Sequence, residues 1–227
     1  MSGKTVWVRS YQPRDINISE VMRYAGMRGE DAAIESLLRD CIVQARDLFT
    51  YRVCFCTFPV MRRGELLDLS FLTTDSRDLC KNLAGCDSVV LFAATVGLGI
   101  DRMIEKYGSA SPTRALLLQA LGAERVESLC DAFCDDIGAG AASCGRSIRP
   151  RFSPGYGDFP LEAQAAIVRV LDTPRKLGLT LTDSLLLSPS KSVTALIGIS
   201  TEKNDLPDCK CDICDNTDCV FRKEETQ

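Results

Sequence analysis

The run Ser88-Val89-Val90-Leu91-Phe92-Ala93-Ala94-Thr95 constrains this chain more than any other stretch. An apolar run of this length bounded by turn residues reads as a buried strand, and its wholly apolar part, residues 89–94, is far below the roughly 18 residues that cross a bilayer. It feeds a Gly97-Leu98-Gly99 turn and a helix over residues 100–107. Ser111-Pro112 then opens a second helix, a cap followed by proline at the first position. Its apolar period continues through Leu121, Val126, Leu129, Phe133 and Ile137, and Gly138, Gly140 and Gly145 are expected to end it.

Elsewhere strands and helices alternate. A short strand over residues 5–9 precedes a helix for which Ser19 is the expected N-cap. Residues 31–49 read as an amphipathic helix, because Ile34, Leu37, Leu38, Cys41, Ala45 and Leu48 recur at three and four. Residues 51–58 form a strand with apolar groups on both faces, and residues 65–71 a second extended run after a hairpin turn at Arg62-Arg63-Gly64. Asp75 or Ser76 caps a short helix carrying Leu79, Cys80 and Leu83, which Gly85 ends. Residues 147–158, rich in Pro and Gly, read as an exposed loop. Pro160 opens another helix, and residues 185–187 and 192–200 read as strands joined by Pro189-Ser190-Lys191. Past Ser200 few core-forming residues remain, so the body is expected to span residues 1–205 and a Cys-rich tail residues 206–227. Interspersed elements with hairpin signals argue for an α+β fold with a mixed, largely antiparallel sheet and packed helices.

Composition removes several function classes. With 27 Lys+Arg against 31 Asp+Glu, the formal charge of −4 opposes general nucleic-acid or anionic-membrane binding, which needs a concentrated basic face. There is no histidine, so Ser-His-Asp, Cys-His and His-metal mechanisms within this chain are ruled out. The first ten residues carry no long apolar region of the secretory kind, which leads to the expectation of a cytoplasmic protein. Its 12 cysteines are then expected as thiols, metal thiolates or redox centres.

Three constellations could carry chemistry. Strand, Gly97-x-Gly99 and helix occur in the order of a dinucleotide-binding turn, but Arg102 stands at the third glycine, so a tight turn serving backbone geometry is the competing reading. Cys209-x-Cys211-x-x-Cys214-x-x-x-x-Cys219 puts four thiols into eleven residues, a pattern suited to zinc, copper(I) or an iron-sulfur cluster. A reducible tail or two transient disulfides is the alternative. Cys54 and Cys56 on one strand face, and Cys130 and Cys134 one helical turn apart, read as packed thiols, with a disulfide relay as the minority reading. The third constellation is Arg151-Phe152-Ser153-Pro154-Gly155-Tyr156-Gly157: an arginine beside a proline-restrained turn can hold a carboxylate, while glycine lets a ligand approach bare backbone. An ordinary surface turn is the other reading.

Arg151-x-x-x-Gly155-Tyr156, then Gly178-Leu179-Thr180-Leu181-Thr182-Asp183-Ser184, then Ser188-Pro189-Ser190-Lys191-Ser192-Val193, resembles the activation (reactivation) domain of cobalamin-dependent methionine synthase. Ala93-Ala94-Thr95-Val96-Gly97 and Ala123-Glu124-Arg125-Val126-Glu127 are similar to its short free-standing members, and the resemblance covers residues 15–200. It implies S-adenosylmethionine binding beside a partner that carries cobalamin, and an accessory subunit that supports reductive methylation of cob(II)alamin. Arg151 would bind the methionyl carboxylate, backbone at Ser153 and Gly155 the adenosyl part, and Tyr156 would border the corrin. Glu127 matches a family carboxylate near the ligand, with Ser128 as the competing register. A one-electron donor of the flavodoxin or ferredoxin type would complete the system. The chain lacks the family's N-terminal insert with a further ligand-binding acid, and the Cys-rich end stands where the family has a tyrosine pair. Two other functions compete: an iron-sulfur electron carrier on the same fold, and a zinc-knotted interaction protein, both resting on Cys209, Cys211, Cys214 and Cys219.

Overall fold

The run at residues 89–94 becomes the middle of a sheet. A computed structural model describes residues 5–27 and 31–201. In chain order its elements are β1 (Trp7–Ser10), α1 (Ile18–Tyr24), α2 (Ala32–Ala45), β2 (Arg52–Pro59), β3 (Met61–Arg63), β4 (Leu66–Asp68), β5 (Thr73–Thr74), α3 (Arg77–Asn82) and β6 (Cys86–Thr95). There follow α4 (Gly99–Tyr107), α5 (Pro112–Ala142), β7 (Ser147–Ile148), α6 (Ala163–Leu171), α7 (Thr173–Leu177), β8 (Thr180–Leu181), β9 (Leu187–Ser188) and β10 (Ser192–Ser200). The main sheet has the order β1-β2-β6-β10-β7, and every neighbouring pair is antiparallel.

Alternation along β6 builds two cores. Val90, Phe92 and Ala94 point to one face, where α1, α2, α4 and α5 bring Val21, Leu38, Cys41, Ile100, Leu117, Leu121 and Phe133. Val89, Leu91 and Ala93 point to the other, against Leu67, Leu69, Leu79, Ile167, Leu171 and Leu177. Phe133 anchors the first core, its ring centroid 4.8 Å from Phe92 and 5.2 Å from Phe55. A core on each face explains why the central strand shows no polar alternation: both sets of side chains lose water on folding.

Several expectations shift in detail. Asn17, rather than Ser19, caps α1, because its side chain accepts the Glu20 N–H. The 31–49 helix divides into α2 and a 3-10 turn at Arg46–Leu48. The extended run at 65–71 contains only the three residues of β4, and Arg62 and Arg63, expected in the turn, belong to β3, which pairs with it across a turn at residues 64–65. Gly138 and Gly140 lie inside α5, and Gly145, at φ 69°, makes the turn after it. Residues 187–188 pair with β8 and not with β10. The largest change is at residues 147–158, expected as an exposed loop. There β7 joins the sheet edge, and Phe152 is buried, its N–H and C=O both bonded to Leu196 at 2.9 and 2.8 Å. The buried Phe152 and Arg149, with main-chain bonds to Leu196 and Gly198, turn a loop into a wall.

Gly97 and Gly99 serve the turn into α4. Gly97 sits at φ 85°, and a Cβ there would run into Thr50 Oγ1; one on Gly99 would stand 2.5 Å from the Leu48 carbonyl oxygen. With β6 antiparallel to both neighbours, the parallel strand pair of a dinucleotide-binding unit does not form around it.

Candidate functional site

The wall at residues 147–158 faces α5 across a cleft. Phe152 turns into the second core, so Arg151 before it, flanked by Pro150, emerges on the opposite side by strand alternation. On α5, Glu127, Asp131, Cys134 and Asp135 recur at three and four and share one face. Together with Ser153, Pro154, Tyr156, Gln164, Leu187 and the start of β10 they line a cleft of about 650 Å³. That volume suits a ligand of nucleoside size.

Arg151 is the centre of charge. Its Nη1 donates to Asp131 Oδ1 at 2.5 Å and its Nη2 donates to Glu127 Oε2. Burial pulls its pKa down, but its ion pairs with the Glu127 and Asp131 carboxylates oppose that and the net shift is upward, so the guanidinium stays charged at any working pH. The side chains of Arg151, Glu127 and Asp131 are exposed by 26, 38 and 52% respectively, so all three reach the cleft. Burial pushes the thiols of Cys130 and Cys134 up, against the pull of Arg151, and protonated thiols are poor nucleophiles.

The turn that carries Tyr156 is held from both sides. Gly155, at φ 87°, donates its N–H to the Phe159 carbonyl at 2.8 Å, and the Tyr156 N–H reaches Ser153 O at 3.2 Å. Asp158 fastens the far end to α3: its carboxylate accepts from Ser76 Oγ at 2.5 Å and from the N–H groups of Arg77 and Asp78 at 2.8 and 3.1 Å. Beneath the cleft, Gln164 donates to Leu185 O at 3.1 Å and accepts from Thr194 Oγ1 at 3.2 Å, tying α6 to β10.

Of the site residues expected from sequence, Glu127, Arg151, Ser153 and Tyr156 therefore share one cleft. Glu127 lines it and pairs with Arg151, while Ser128 is not among the lining residues. Gly155 sits in the adjoining turn, its N–H spent there. Tyr156 is 55% exposed at the rim. Sequence reasoning missed Asp131, although its position four residues after Glu127 on a helix was a usable signal, and it missed Gln164 and Thr194, for which no motif exists. Cys209, Cys211, Cys214 and Cys219, and the domain boundary at residue 205, lie outside the described residues. Among the described residues no cluster of His, Cys, Asp and Glu is arranged to hold a metal, and no helix is long and apolar enough to cross a membrane.

No protein-family model matches the chain, and no curated protein does. Among solved structures it is similar to the crystal structure of the MetH reactivation domain bound to AdoHcy, with a TM-score of 0.59 and 14% identity, over 90% of this chain and 81% of that one. The fold is the α+β fold of that domain.

Proposed function

We propose that the cleft binds S-adenosylmethionine and that the chain is a stand-alone reactivation subunit for a cobalamin-dependent methyltransferase. One observation carries the reading: a partly buried arginine shared by two carboxylates stands in a nucleoside-sized cleft, on a fold whose solved counterpart holds AdoHcy. The ligand offers a carboxylate, an ammonium and a sulfonium, and the residues present fit those charges. Arg151 receives the carboxylate as a two-pronged fork, Glu127 and Asp131 face the cationic groups, and backbone at Ser153 with the turn at Gly155 borders the adenosyl part. Tyr156 presents a flat rim to the corrin of the partner. Bound S-adenosylmethionine would supply the methyl group; the chain's own work is to orient it and exclude water, which needs no protein base and accords with the absence of histidine. A flavodoxin- or ferredoxin-type donor would supply the electron.

Calorimetry on wild type and Arg151→Ala tests the assignment. Loss of charge-assisted hydrogen bonds is expected to weaken binding about tenfold to a hundredfold. Saturable binding that ignores the substitution sinks the site.

A second reading rests on Cys209-x-Cys211-x-x-Cys214-x-x-x-x-Cys219, whose donor set suits zinc or an iron-sulfur cluster. In this reading residues 206–227 are a separate metal-binding tail, and the chain is an electron carrier or, with zinc, an interaction protein. Anaerobic purification with metal and sulfide analysis decides: iron with acid-labile sulfide is expected for the carrier, and colourless protein with one zinc removes it.

A further inference from the structure

The cleft is divided by chemistry. Its charges, Glu127, Asp131, Asp135, Arg149 and Arg151, stand on α5 and just after β7, while Pro154, Gln164, Leu187 and Thr194 line the less charged part. Two polar side chains are buried there: Gln164 is 7% exposed and Thr194 3%. A polar group this far from water is kept where hydrogen bonds answer it. A side-chain amide offers two N–H donors and two lone pairs on its oxygen. Gln164 has spent one of each, its Nε2 on Leu185 O at 3.1 Å and its Oε1 on the Thr194 hydroxyl at 3.2 Å. One donor and one acceptor remain, side by side, on a residue that lines the cleft. The same bonds fix which way the amide faces. A carbonyl oxygen accepts and cannot donate, so the end of the side chain against Leu185 has to be nitrogen. Leu185 itself is held at φ 61°, a conformation uncommon for leucine, in a turn closed by its own N–H on Thr182 O at 2.9 Å and by the Leu186 N–H on Thr182 Oγ1 at 3.0 Å.

We infer that Gln164 reads the edge of an adenine base, its Oε1 accepting from the exocyclic amine and its Nε2 donating to the neighbouring ring nitrogen, so that the cleft takes adenine and rejects hypoxanthine and guanine. The inference rests on the cleft being the S-adenosylmethionine site. With the ligand's carboxylate on Arg151, the amino-acid part fills the charged end and the base falls to the part lined by Gln164. Pro154 and Leu187 supply apolar surface for the ring there. Glutamine matches adenine as a two-pronged pair, because the amine and the ring nitrogen present a donor beside an acceptor. An oxopurine presents an oxygen where the amine was, and that oxygen would face Oε1. An unanchored amide would answer by exchanging its two ends; this one would then set Oε1 against the Leu185 carbonyl. Rejection therefore comes from two oxygens brought together, a selectivity that works against the wrong ligand.

Calorimetry on the full chain with S-adenosylhomocysteine and S-inosylhomocysteine provides the test. The two ligands differ only in the purine, where a carbonyl oxygen replaces the amine and a proton joins the adjoining ring nitrogen, so the amino-acid end contributes equally to both. Wild type is expected to prefer the adenine ligand by about tenfold or more, the discrimination that one good two-pronged contact gives. In Gln164→Met, which keeps the length of the side chain and removes the amide, the ratio is expected to fall to about one. Gln164 also ties α6 to β10, and loosening that tie alone would weaken both ligands by the same factor. The ratio, not either affinity, is therefore the readout. Gln164→Asn, whose amide is drawn back by one methylene, is expected to lose the preference as well and serves if the methionine variant does not fold. Equal affinities in wild type, or a preference that survives either substitution, overturn the base reading while leaving the site intact. Failure of both ligands to bind wild type overturns the site itself.

Discussion

Two arginines on opposite sides of one helix show how burial decides what a charge is for. Arg125 is 1% exposed and bonds its neighbour Glu124 through Nε at 2.5 Å and Nη2 at 2.6 Å; its remaining donors go to the carbonyl oxygens of Arg14 and Asp15 at 2.6 and 3.0 Å. Glu124 in turn accepts the Asn17 N–H at 3.1 Å. Every polar group in that knot is answered, and it straps residues 14–17 to α5. Arg151, by contrast, keeps solvent access and partners that a ligand can exchange. Arg125→Met is expected to cost about 3–5 kcal/mol in urea unfolding, because it strands the buried Glu124 carboxylate; the double variant Glu124→Gln/Arg125→Met is expected to recover much of that loss. A single variant as stable as wild type contradicts the strap. The Glu-Arg pair was visible in the sequence, but nothing local announces that these two charges, alone on their stretch of helix, are inside.

At the scale of elements, the strands and helices with strong periodicity were legible. The run at 89–94 and the helix after Ser111-Pro112 follow from short-range pattern, whereas Arg62 and Arg63, expected in a turn, are strand residues paired to β4. What was not legible depends on partners far away in sequence. Residues 147–158 hold too many Pro and Gly residues to read as anything but loop, yet Leu196 and α3 fix them. The Asp158 carboxylate lies below its usual pKa, chiefly through the Ser76 hydroxyl and then the Arg77 and Asp78 N–H groups. A depressed folded pKa contributes stability that is complete above the unfolded value near 4 and is lost as pH falls through the folded one. The melting-temperature gap between wild type and Asp158→Asn is therefore expected to be constant at pH well above the unfolded value near 4 and to narrow as pH falls below it. A gap independent of pH shows that the carboxylate does not pin the turn through its charge.

For the whole molecule, the chemistry of the cleft arises where the sheet edge meets α5, a junction of segments steadied by straps from residues 14–17, 76–78 and 196. The candidate cation, its turn and Glu127 were legible because they stand in short motifs; Asp131, Gln164 and Thr194 were not, because their roles come from which elements the two cores press together. Helix α5 is common to everything. Phe133 sits at the centre of the first core, Glu124 and Arg125 are fastened to the N-terminal segment, and Glu127 and Asp131 look outward. Rolling such a rod about its axis would drag a sealed ion pair into hydrocarbon, so the spacing of its two outward acids behaves as a fixed gauge. A molecule entering the groove must match that gauge as it stands, and whatever adjustment docking demands falls to the torsions of Arg151 and Tyr156.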